Sequence, residues 1–160
     1  MERSLLLAPG RGLAVAGPTV IGLVAADPRE PRATAFAQQL IDATDASQVS
    51  AVLQAHAATG LPELALTVIE GQQLVLFLRG TVQAEISVEG AAPTTLVADN
   101  PNWTIHTGPL PSSWALVLPT NLAPSTMGFQ HGTSPAGRVE VRLTAAAPPP
   151  VPAPTPDPTP

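Results

Sequence analysis

Leu64-Ala65-Leu66-Thr67-Val68-Ile69 and Leu74-Val75-Leu76-Phe77-Leu78 are nearly continuous apolar runs, separated only by Glu70-Gly71-Gln72-Gln73. Such runs predict a hairpin of strands buried on both faces, near the centre of a sheet. After Gly80 the pattern changes to strict alternation over 81–89. Val82, Ala84, Ile86 and Val88 fall on one side, and Gln83, Glu85, Ser87 and Glu89 on the other, which predicts a half-exposed third strand. Shorter strands are predicted at 94–98, 103–107 and 114–118, and a last one at 138–143, where Val139, Val141 and Leu143 alternate with charged residues. This last strand reads as a sheet edge.

Upstream, three short apolar runs lie at Leu5–Leu7, Leu13–Val15 and Thr19–Val24, with Pro9-Gly10 and Gly17-Pro18 between them. Those dipeptides favour turns, so two or three strands are expected. Phe36, Ala37, Leu40 and Ile41 then recur at helical spacing, as do Val49, Val52, Leu53 and His56. Helices are predicted over 33–44 and 47–58, with Asp45 and Gln48 as a capping pair and Gly60 as the stop. The stretch 119–136, rich in Pro and Gly, shows no periodicity and reads as a long loop; 145–160, almost wholly Ala and Pro, reads as a disordered tail. The fold expected is an α+β domain over 1–144, a mainly antiparallel sheet with both helices on one face.

Composition narrows the function. The chain has 160 residues, the size of one domain. Its seven basic residues are all Arg and scattered, against twelve acids, and the net charge is −5. A nucleic-acid binder needs a clustered basic face, which is missing. No cysteine is present, which removes thiolate chemistry and Cys-based metal centres. No apolar run approaches the ~20 residues of a membrane span. Pro9, Gly10, Arg11 and Gly12 interrupt the N-terminal apolar stretch, so strands are favoured there over a secretory leader, and a cytoplasmic location is expected with secretion left open.

Catalytic constellations are absent from the sequence. His56, His106 and His131 show no metal-ligand spacing, and no nucleophile elbow or phosphate-binding glycine loop occurs. His56 reads as a half-buried helix residue and His106 as a strand surface residue. Trp103 and Trp114 read as packing residues with hydrogen-bonded indoles. No catalytic residue, metal ligand or cofactor is therefore assigned, and the expected partner is a protein, met through Met127 and Phe129 of the long loop. The competing reading is a hydrolase with a non-local site built from His106 or His131 with Asp99.

Two resemblances bear on the role. The absence of Lys and the abundance of Ala and Pro point to a GC-rich actinobacterial source. The glycine-rich strands, Asp27 before the helices, the Leu61-Pro62-Glu63-Leu64-Ala65-Leu66 stretch, the run ending Leu78-Arg79-Gly80 and Trp103 together resemble the N-terminal domain of actinobacterial forkhead-associated-domain proteins, over about residues 10–118. The resemblance implies that the tail is a linker; the phosphothreonine-reading module of that family is not in this chain, and the resemblance does not settle the domain's own role. With the missing catalytic groups and the long 119–136 loop it motivates the expectation of an interaction or scaffold module in phosphorylation signalling or cell-envelope assembly. Arg79-Gly80-Thr81 is also similar to the Gly-Asp-Ser turn of metal-dependent phosphatases. Thr81 stands where that family's metal-binding Asp would fall, implying a non-catalytic relative.

Overall fold

A computed structural model describes residues 2–27, 29–58, 60, 62–88, 92–99, 103–118 and 127–144. The predicted tail at 145–160 and residues 119–126 of the predicted loop lie outside the described residues. Ten strands and two helices follow in chain order: β1 (Glu2–Ala16), β2 (Val20–Val24), α1 (Pro31–Asp42), α2 (Ala46–Ala57), β3 (Leu64–Glu70), β4 (Gln73–Arg79), β5 (Gln83–Ser87), β6 (Thr94–Leu96), β7 (Thr104–Pro109), β8 (Ser113–Val117), β9 (Met127–Phe129) and β10 (Gly132–Thr144). They form one sheet in the order β6-β5-β8-β10-β1-β2-β3-β4-β7, with β9 added beside β1. The described pairings are antiparallel.

The sheet is curled into a half-barrel, and period-two alternation sorts its side chains between two cores. Leu13, Val15, Val20, Leu64, Leu66, Val68 and Phe77 face outward beneath Phe36, Leu40, Val49 and Leu53 of the helices. Leu7, Ile21, Leu23, Leu74, Leu76, Trp114, Leu116 and Val139 fill the concave side. Because β3 and β4 feed both cores, they need apolar residues at nearly every position. Their hairpin turns at Gly71-Gln72, where Gly71 has φ +61°, the requirement of a type II′ turn. Asp45 caps α2 by accepting from the Gln48 amide at 2.8 Å, while the Gln48 side chain accepts from the Thr44 amide.

The N-terminal region differs from expectation. Pro9-Gly10 makes no hairpin; it is a bulge inside the single strand β1, where Pro9-Gly10-Arg11 stand opposite Gly137 of β10. The β1–β10 ribbon folds back at this point. The guanidinium of Arg3 donates to the carbonyl of Gly17 at 2.6 Å and to that of Pro18 at 3.3 Å. A straight strand would hold residues fourteen apart at a distance of about 46 Å. Burial holds the Arg3 guanidinium below its ordinary pKa, and it remains a cation at neutral pH. A Cβ at Gly10 would overlap the backbone of Gly137, so only glycine lets the two chains cross this closely.

Two further readings are corrected. The strand predicted at 138–143 is no edge: β10 begins at Gly132 and lies between β8 and β1, near the middle of the sheet. Part of the predicted loop is likewise ordered, as β9 and the first half of β10. Pairing with β1 orders Gly132–Gly137, a segment without apolar periodicity, through backbone hydrogen bonds that are blind to side-chain pattern.

Inside the curl, Trp114 donates its indole N–H to the Thr67 hydroxyl at 3.2 Å, and that hydroxyl donates to the Ile21 carbonyl at 2.8 Å. Thr67 is the one buried polar residue among those described. It ties β8 across the interior to β3 and β2.

Three variants, compared by chemical denaturation, test this packing. Leu76, only 2% exposed, should lose about 2–5 kcal/mol as Leu76→Ala. Gly10→Ala should cost about 1–3 kcal/mol by overpacking at the fold-back. Gly108→Ala, whose new methyl would meet nothing within 4 Å, should stay within about 0.5 kcal/mol of the parent.

Candidate functional site

A curled sheet that stops short of closure leaves two ends. Here they are β6, three residues long, and β7, six residues long. They face each other across a cleft of 260 Å³, floored by Leu74, Leu76 and Ile86 and bounded by Leu96 on one side and His106 and Gly108 on the other. Pro109 ends β7, and Pro111 also lines the cleft. Among the described residues, the exposed large hydrophobic side chains are Val88, Val97, Ile105 and Met127. Val88 lines the cleft, whereas Ile105, paired with Phe77, lies on the other face of β7.

His106 departs from its reading as a surface residue. It is paired with Leu76 in the β4–β7 ladder and so shares the concave face with it. Its Nε2 is shut from solvent and has no hydrogen-bond partner, the one such buried side-chain atom among the described residues. Unsatisfied buried polar atoms are rare in native folds because each forfeits its hydration.

The other sequence-predicted residues are dispersed. His131 lies between β9 and β10, and Asp99 is engaged with Thr104, which donates to its carboxylate at 2.7 Å. Neither lines the cleft that holds His106. Among the described residues no three His, Asp or Glu side chains gather closely enough to hold a metal ion. Thr81 is held by Glu63, whose carboxylate accepts from its hydroxyl at 3.1 Å and from its amide at 3.3 Å. Met127 is 43% exposed on β9, whereas Phe129 is partly buried against the concave core. Of this pair, Met127 is the more exposed.

Two grooves of more than twice the cleft's volume carry less chemistry. One, of 590 Å³, lies beside Phe36 and His56. Its imidazole is already occupied, stacking edge-on against Phe36 with centroids 4.8 Å apart and bonding Gln39 Oε1 at 3.0 Å. The other, of 580 Å³, sits at the ribbon bend between Arg11, Asp27 and Arg29, all solvent-exposed. Trp103 packs on the helix-side core, as a structural indole does. No helix among the described residues is long and apolar enough to cross a membrane.

Comparison with protein-family models, with curated proteins and with solved structures yields no match. The resemblance to forkhead-associated-domain proteins therefore rests on the residues quoted for it.

The seam itself was not legible in the sequence. Strand order sets which strands are terminal, and no local pattern in 94–96 or 104–109 announces that role. The one available sign was Gly108 inside a strand, which often marks the close approach of another chain.

His106→Leu should raise stability by about 1 kcal/mol at neutral pH, because an orphaned buried nitrogen is exchanged for an apolar group. A loss of stability in the same denaturation experiment would show that the nitrogen has a partner in solution.

Proposed function

We propose that this domain is a non-catalytic interaction module whose contact surface is the open seam between β6 and β7. The observation that carries this reading is the apolar cleft lined by Leu74, Leu76, Ile86, Val88 and Leu96 at the place where the half-barrel stays open. Apolar surface left in water is costly, at roughly 25 cal/mol per Å², and a partner that covers it recovers that free energy. The seam strands bring little charge: Thr94–Leu96 and Thr104–Pro109 contain no acidic or basic side chain other than His106. An uncharged apolar surface suits a protein contact and gives no grip on a phosphate or a metal ion.

The wider setting, a scaffold in bacterial phosphorylation signalling or cell-envelope assembly, is suggested by the resemblance of residues 10–118 together with the missing catalytic groups. The surface proposed from the sequence, Met127 with Phe129, is a second patch on β9. Met127 supplies its exposed part, and Phe129 belongs mainly to the core.

Capture of partners from the native host compares the two surfaces. A Val88→Asp/Ile105→Asp variant should keep its fold, since both side chains are already about half exposed (53% and 51%), and lose a partner that the parent recovers. Met127→Ala should retain it. Loss with Met127→Ala but not with the seam variant would move the contact surface to β9. A partner set unchanged in both would refute the module reading at these surfaces.

A further inference from the structure

We propose that the seam receives one extended segment of a partner protein, which adds to β7 as an extra strand and lowers an aliphatic side chain over Gly108. This rests on the module reading above and names the kind of partner it fits.

Four observations lead to it. First, β7 is a six-residue edge strand with no charge other than a histidine, and Ile105 on its outer face is 51% exposed. Natural edge strands are guarded by lysines, inward charges or bulges; β7 has only its terminal Pro109, so its backbone is a template for pairing.

Second, the opposite wall decides how much chain fits. Leu96 of β6 and Ile86 of β5 stand across the cleft from His106 and Gly108, so the opening is a slot bounded on both sides. A second copy of this chain would have to bring β7 together with the β4 strand behind it, and such a sheet does not enter a slot. A lone extended segment does.

Third, the cleft holds 260 Å³, below the ~300–1,000 Å³ of sites that enclose small molecules and on the scale of side chains inserted from a strand. Fourth, Gly108 points toward this space, paired with Leu74 on the concave face, and a Cβ there would meet nothing within 4 Å. Packing within the domain does not demand glycine at 108. The bare backbone leaves room for a guest side chain.

His106 adds a polar requirement. It lines the slot and holds a buried Nε2 without a partner, which a hydroxyl brought in beside it would satisfy. Because inward side chains of a strand recur every second residue, the segment that fits carries a branched aliphatic residue over Gly108 and a threonine or serine hydroxyl two residues away, beside His106.

The probe is the acetylated, amidated nonapeptide Ser-Val-Ser-Ile-Ser-Thr-Ser-Val-Ser, titrated into the full chain and followed by amide and imidazole nitrogen NMR. Expected are shifts confined to β5, β6 and β7, movement of the His106 ring nitrogens, and at least roughly tenfold slower exchange of those β7 amides that β4 leaves unbonded. Replacing the serine amides by N-methyl amides should abolish binding, since the ladder then lacks donors. Gly108→Val should fold as the parent does and block the peptide by filling the slot. Binding that survives N-methylation, or that Gly108→Val leaves intact, overturns the strand-addition proposal. So does an absence of shifts at millimolar peptide, and so does binding of sodium hexanoate at the seam without the peptide. If the peptide fails while the seam variant still loses its host partner, the module reading stands and only strand addition falls.

Discussion

The close crossing of Gly10 and Gly137 sets the shape of this molecule. A long two-stranded ribbon left straight would be a flat pair of strands with no enclosed face. The three-residue bulge opposite Gly137 folds β1 and β10 back, so that Arg3 meets the carbonyls of Gly17 and Pro18. Curling then gives the sheet an inside. Val139, Leu116 and Trp114 face Ile21, Leu23 and Leu76 across it, and the bond from Trp114 to Thr67 joins the two halves by a directional contact as well as by packing. Gly12 serves the same corner: a Cβ there would lie 2.8 Å from the Ala136 carbonyl oxygen.

The helices solve a different problem. Strands β2, β3 and β4 carry apolar side chains on their outer face as well, and α1 and α2 cover them with Phe36, Leu40, Val49 and Leu53. They do not reach Ile105. Strands β5 and β10 show polar residues outside instead, including the ion pair of Arg138 with Glu85 at 3.1 Å. One sheet thus changes from two covered faces to one along its length, and the composition of its strands changes with it.

Openness at the seam goes with the same curl. The ten described strands bring the sheet back toward itself, but its two ends, β6 with only three residues and β7, do not pair. What remains is an apolar slot with a poorly satisfied imidazole in its wall. Such features cost stability, and folds retain them at sites of contact more readily than elsewhere. Strand addition from outside would complete the ladder that the chain leaves unfinished.

Much of this fold was legible residue by residue. The β3–β4 hairpin, the alternation around Ala84 and Ile86, both helices, the Asp45 cap and the short strands near 94, 104 and 114 follow from local periodicity, which the backbone geometry of each element imposes on its own side chains. The N-terminal bulge was misread as a turn, because Pro-Gly has the same chemistry in both; pairing with residues more than a hundred positions away chooses between them. β9 and the start of β10 left no signal, since their order comes from hydrogen bonds to β1. The inward aim of His106 and the terminal rank of β7 were equally invisible. Local sequence determined which segments are strands or helices and which side of each is apolar. Which strands become neighbours, where the ribbon folds back and which edges stay open were decided by tertiary structure alone, because those outcomes depend on backbone pairing and close approach between segments distant in the chain.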